Sequence, residues 1–175
     1  MRYSQIRSMD ISNGSGVGIS LFVQGCHFHC KGCFNQETWD FNGGKEWTDD
    51  IENKFIKLAN NSYVKRISFL GGEPLADENI ETVFNIIQKL KKYYPQKQIW
   101  IFTGYTWENL MNKKSKNSLL RLTAVVLSDV LADGQFQLDK QDINHKKVKW
   151  VGSINQRVID IKKSFQANKI VLYDK

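Results

Sequence analysis

ISLFVQGCHFHCKGCF, residues 19–34, joins an apolar run to a loop that holds every cysteine of the chain. Residues 19–24 read as a short strand ending at Gly25. Near-continuous hydrophobicity of that length suits a parallel strand covered on both faces. The pattern returns as VKRISFL (64–70) before Gly71, QIWIFT (98–103) before Gly104, and TAVVLSDV (123–130) before the Asp133–Gly134 turn signal. Weaker strand candidates lie at 148–151 and 170–173.

Helical patterns fall between these runs. Ile51, Phe55, Leu58 and Ala59 share one face, with Thr48 placed to cap and Asp49 and Asp50 in the first turn. Ile80, Val83, Phe84, Ile87 and Leu90 repeat at helical spacing, and Pro95 ends that run. Thr106 caps a short helix with Trp107 and Leu110. Asn155 is placed to cap QRVIDIKKSF, with Val158, Ile161 and Phe165 inward. Residues 133–147 show no period. Strand and helix alternate, which predicts an α/β fold with a mainly parallel sheet. A closed eight-fold barrel takes about 250 residues. The 175 residues here suit one domain, 1–175, built as a partial, open β/α barrel or a doubly wound sheet. In such folds the loops after the strands gather on one edge, where ligands bind. The cysteine loop, Gly71–Gly72 and Thr103–Gly104 are therefore predicted to meet.

The N-terminal stretch has no apolar core of signal-peptide length, and no stretch has the length of a membrane span. A cytoplasmic, reducing location is expected, with no membrane partner. The formal charge of +7 comes largely from lysines in KLKKYYPQK, NKKSK and HKKVKW, which read as solvated faces. No basic–aromatic stripe accompanies them, so no nucleic-acid partner is expected.

Cys26, Cys30 and Cys33 are spaced C-x3-C-x2-C, and three thiols cannot all pair within one chain. In a reducing compartment clustered cysteines point to metal or catalysis. Thiolates select zinc, copper(I) or iron–sulfur clusters. A 4Fe-4S cluster normally takes four cysteines, so a three-cysteine loop leaves one iron open. Zinc with His27 or His29 as fourth ligand is an alternative, although each adjoins a cysteine, and His145, distant in sequence, is a further candidate. A redox pair at Cys30 and Cys33 is another, and it leaves Cys26 unexplained.

The loop resembles the cluster motif of radical S-adenosylmethionine enzymes, and GGEP (71–74) resembles the second hallmark of that superfamily. Most of the chain is similar to one family within it, the activators of anaerobic ribonucleotide reductase. The similar stretches include DISNGSGVGISLFVQGC, GCFNQETW, IWIFTGY, DVLADGQF and GSINQRVID. The resemblance implies a radical S-adenosylmethionine fold and a 4Fe-4S cluster on Cys26, Cys30 and Cys33. Its open iron is chelated by the amino and carboxylate groups of S-adenosylmethionine. It implies adenine contact from Gly32, Cys33 and Phe34, where many of the superfamily place an aromatic before the third cysteine. It also implies backbone approach to the methionine end at Gly71 and Gly72, acceptor capacity from Glu73, and a contact at Thr103. The implied target is a glycine Cα hydrogen on the reductase catalytic subunit, with an electron from a low-potential donor. A radical enzyme acting on a small molecule, such as a deazapurine precursor, and a zinc-stabilised binding module are the alternative functions. Asp129 and Asp133 read as strand-end and turn residues, and residues 152–157 as a loop that could shape a partner surface.

Overall fold

The computed structural model describes residues 1–112, 115–144 and 146–174. Four strands form the middle of one sheet: β2 (Gly18–Val23), β4 (Arg66–Gly71), β5 (Gln98–Phe102) and β6 (Val130–Asp133), paired in parallel in that order. Their register sets Val23 beside Gly71, Phe69 beside Ile101 and Phe102 beside Ala132. The flanks are antiparallel. On one side β1 (Arg2–Asp10) pairs with β2, and the two-residue β3 (Lys45–Glu46) pairs with β1. On the other, β7 (Arg157–Asp160) pairs with β6. The seven strands run in the linear order β3-β1-β2-β4-β5-β6-β7.

That order closes no barrel: the sheet has two separate edges, β3 and β7, and the expected parallel pairing holds only in its middle. The reason is local: after β6 the chain returns as an antiparallel strand instead of through another helical crossover, and antiparallel neighbours need no such crossover.

Among the described residues five α-helices accompany the strands. In α1 (Asp49–Leu58) the Thr48 hydroxyl accepts from Ile51 N at 3.4 Å, so the expected cap is present. In α2 (Ile80–Tyr93) Ile80, Val83, Ile86, Ile87 and Leu90 are buried, and the helix ends before Pro95. The short α3 (Trp107–Leu110) carries Thr106 as its cap. The helices bury Phe55, Ile86, Leu90 and Val125 in one cluster with Ile19, Leu21, Ile67, Phe69 and Ile101 of the strands. The opposite face of the strands is also closed. Ser20, Arg66, Ser68 and Trp100 are fully buried there, and Arg66 is ion-paired to Asp10. Alternate residues thus face two different interiors.

Several sequence expectations fail in this frame. Residues 116–127 form α4 (Lys116–Leu127), so most of TAVVLSDV is helix and the strand starts only at Val130. Short apolar runs do not distinguish buried helix from buried strand. Here a capping box at Ser115, with Ser118 as its reciprocal partner, starts a helix that carries the run along with it. Residues 157–160 are strand, so Asn155 caps nothing. Asp160 caps α5 (Ile161–Ala167) by accepting from Lys163 N. Phe165, expected inward, is exposed and packs its ring against Trp107. Residues 148–151 are not a strand, and Trp150 sits at a φ of 64°. Residues 170–173 contribute a single bridge, Leu172 to Ile159.

Candidate metal centre

Two strand ends are laced together before the cysteine loop begins. Gly72 N donates to Val23 O at 2.9 Å, and Glu73 N donates to Gly25 O at 2.7 Å. The chain can approach this closely only because positions 71 and 72 are glycine. Gly71 lies at a φ of 100°, and a Cβ on Gly72 would fall 2.4 Å from Gly25 O. The cysteine loop then folds back: Gly25 N and Cys26 N donate to Thr38 O and Trp39 O, and Cys33 N closes a turn onto Cys30 O.

All three cysteines are free, partly buried, and open into one cavity of about 710 Å³. Gly71, Gly72, Glu73 and Thr103 line the same cavity, so the three loops predicted to meet do meet. Phe34 stands at its mouth, 65% exposed. Gly32 does not line it; this residue is on the exposed side of the loop, against Leu138.

Burial pushes the Cys26 thiol up to about 11, with the Glu73 charge adding to the effect. Burial also raises Cys30, reinforced by Cys33 and Glu73. A bound cation would reverse the bias, because coordination deprotonates a thiol. Cys26 opens into the same cavity as Cys30 and Cys33, and a redox pair of the latter two leaves it unexplained. Among the described residues no three His, Cys, Asp or Glu side chains are grouped to hold a single metal ion. His27 Nε2 bonds both oxygens of Glu78 and its ring lies on Phe41, while His29 stacks on Trp39. His145 lies outside the described residues. The donor set is therefore three soft sulfurs facing a space much larger than one ion. A 4Fe-4S cluster fits it, and a zinc site completed by either loop histidine does not.

Glu73 is buried and fully occupied. Its Oε1 accepts from Thr103 Oγ1 at 2.7 Å and from Leu75 N at 2.8 Å, and its Oε2 accepts from Gly104 N at 2.7 Å. The side chain lines the cavity and at the same time ties the GGEP turn to the end of β5. Burial pushes its carboxyl up to about 7, against the lowering effect of these hydrogen bonds.

Several lining residues carried no sequence signal of their own. Arg7 reaches in from β1 with its guanidinium 4.5 Å over the Phe22 ring. Phe136 comes from the segment with no period, Trp150 from the run expected as a weak strand and Gln156 from the stretch expected as a helix. The similar stretches DVLADGQF and GSINQRVID contain Phe136 and Gln156 but not Trp150. Asp133 keeps its structural reading: it accepts from Trp107 N and pairs with Arg157, which also holds Glu108.

Residues 12–159 match the family model described as the 4Fe-4S single cluster domain. The chain is 37% identical over 158 residues to the anaerobic ribonucleoside-triphosphate reductase-activating protein of Vibrio cholerae serotype O1, covering 89% of this chain and 96% of that one. The protein of the same name from Escherichia coli K12 is 36% identical over 160 residues, covering 90% and 97% of the two chains. That of Enterobacteria phage T4 is 32% identical over 158 residues, covering 90% and 93%. The chain belongs to this reductase-activating family within the 4Fe-4S single cluster class.

Proposed function

We propose that this chain is the activating enzyme of an anaerobic ribonucleotide reductase, an oxidoreductase of the radical S-adenosylmethionine type. Cys26, Cys30 and Cys33 hold a 4Fe-4S cluster whose fourth iron takes S-adenosylmethionine. The observation that carries the reading is the common cavity of the three thiols, the Gly71–Gly72 turn and Thr103 in a member of this family. A 4Fe-4S cluster held by Cys26, Cys30 and Cys33 and reduced by a low-potential donor would supply the electron for cleaving the sulfur–C5′ bond of S-adenosylmethionine, chemistry that would remove a hydrogen atom from a glycine Cα of the reductase catalytic subunit.

The chain's own residues bind, position and shield. Gly71 and Gly72 present backbone at the cavity wall, where a side chain would collide with the Phe22 backbone and Gly25 O. Glu73 fixes that turn against Thr103 and Gly104, so two walls of the ligand site move as one body. Phe34, next to Cys33, offers an apolar ring for the adenine. Such positioning is worth most when geometry is set before the ligand arrives. The parallel strands β2, β4, β5 and β6 deliver these loops to one edge, which supports the radical S-adenosylmethionine reading of the fold. Among the described residues no helix is long and apolar enough to cross a membrane, and a reducing cytoplasm suits the free thiols.

The test is anaerobic reconstitution with iron and sulfide, then incubation with S-adenosylmethionine, a strong reductant and the reductase. Formation of 5′-deoxyadenosine together with a glycyl electron spin resonance signal on the reductase is expected. Cleavage with no radical on the reductase would favour the small-molecule enzyme. Zinc without iron, and no cleavage, would favour the binding module.

A further inference from the structure

From the cavity mouth an apolar patch runs outward beyond the ligand site. Phe34 and Phe136 are in contact, with ring centroids 5.2 Å apart, and both line the cavity. Leu138 and Ile154 continue the patch outward, 43% and 45% exposed. They are neighbours through the backbone: Ile154 N donates to Lys140 O, and Gln141 bridges to Ser153. Two glycines allow the packing. A Cβ on Gly152 would lie 2.7 Å from Phe34 and 2.9 Å from Phe136, and one on Gly32 would lie 2.9 Å from Leu138.

The patch is fixed in place. Gln156 Oε1 accepts from Gly152 N, Ser153 N and the Ser153 hydroxyl, while its Nε2 donates to Gly134 O. Asn155 Nδ2 donates to Gln135 O. One short motif, residues 152–157, thus braces both the cavity wall and the exposed rim. A rigid apolar rim that adjoins a reaction cavity marks a binding surface with a low ordering penalty.

From this continuity we infer that the rim of Phe34, Phe136, Leu138 and Ile154 is where the reductase seats the peptide flanking its target glycine. The inference rests on the proposed function, and it follows from reach. A glycine Cα inside the cavity leaves its chain neighbours lying across the mouth, within a few residues of extended backbone at about 3.3–3.6 Å each. Phe34 and Phe136 belong to wall and rim alike, so a segment entering beside them meets Leu138 and Ile154 next. Gly32 serves as the seat of Leu138, since a Cβ there would lie 2.9 Å from that side chain.

The experiment uses the full reconstituted chain and two exposed-site variants, Ile154→Asp and Leu138→Asp. Neither residue lines the cavity, and both are checked for an unchanged thermal midpoint and iron content. Affinity for the reductase catalytic subunit is measured by titration calorimetry, and 5′-deoxyadenosine formation is measured without reductase. Each variant is expected to weaken reductase binding by roughly ten-fold or more and to leave reductase-independent cleavage unchanged. Wild-type affinity in both variants would overturn the inference. So would a change confined to self-association of the chain, which would make the rim a contact between copies. A wild-type chain that forms no glycyl radical on the reductase would remove the functional reading itself, and the docking inference with it.

Discussion

Thr103 Oγ1 donates to Glu73 Oε1 at 2.7 Å, joining residues 30 positions apart at the ends of β4 and β5. With Gly104 N on the second oxygen and Leu75 N on the first, Glu73 holds the cavity wall through three acceptor contacts. Glu73→Ala leaves buried N–H groups without partners, and each such loss costs about 1–3 kcal/mol. A thermal midpoint well below wild type is expected, with S-adenosylmethionine affinity weakened as the two turns separate.

The same carboxyl makes stability depend on pH. Its ordinary value of 4.5 holds in the unfolded chain, and burial raises it to about 7 in the folded one. Between those values the folded chain keeps a proton that the unfolded chain has lost. Stability contributed by Glu73 therefore falls as pH rises from 4.5 to about 7 and is level above, by roughly 2–3 kcal/mol in total. Urea midpoints of the cluster-free chain across that range should show the fall, and Glu73→Gln should flatten it.

Below the cavity, Arg66 and Asp10 form a buried ion pair on the face of the sheet away from the helices. Burial opposes ionisation of Asp10, but hydrogen bonds from Ser20, Asn13 and Ser12 outweigh it and hold the carboxyl at about 2. Removing one member strands the other charge, which costs about 3–5 kcal/mol. Asp10→Ala should lose that much in urea unfolding. Replacing both residues with apolar side chains of similar volume should recover most of it.

Gln156 is expected to matter for the wall rather than for the chemistry. Gln156→Ala removes the acceptor of Gly152 N and Ser153 N and the donor to Gly134 O. Gln156→Glu keeps the acceptor and loses only the donor. The alanine variant should show faster amide hydrogen exchange over residues 134–138 and 152–154, and the glutamate variant a smaller change.

The legible part of the fold was its apolar middle. β2, β4 and β5 are buried on both faces, so their composition announced them. The flanking strands carried no such mark. β1 reads RYSQIRSMD, six of its nine residues polar, and is only partly covered. β7 hid inside a helical pattern, since Val158, Ile161 and Phe165 repeat at helical spacing although the chain changes from strand to helix after Asp160. At the site, the cysteines, the double glycine and Thr103 were visible because strand ends in parallel sheets converge. The occupancy of Glu73 was not visible, because its acceptor contacts reach residues that only the register of β4 and β5 brings near. The wall at 134–136 and 150–156 was hidden for a similar reason: side-chain hydrogen bonds order it, and they leave no periodic trace.

Single replacement of Cys26, Cys30 or Cys33 by Ala should leave the fold in place, since none of the three belongs to the apolar core. Iron retained after reconstitution should fall, and S-adenosylmethionine cleavage should drop to background in all three variants. Full activity in any one of them would remove that residue from the ligand set.

Hydrogen transfer from protein to nucleoside is best followed with an isotope. Reductase labelled with glycine deuterated at Cα, incubated with the iron-loaded chain, S-adenosylmethionine and reductant, should yield 5′-deoxyadenosine carrying one deuterium as the glycyl signal appears. Cleavage that proceeds at full rate with no deuterium in the nucleoside would show that no glycine of the reductase reaches this cavity.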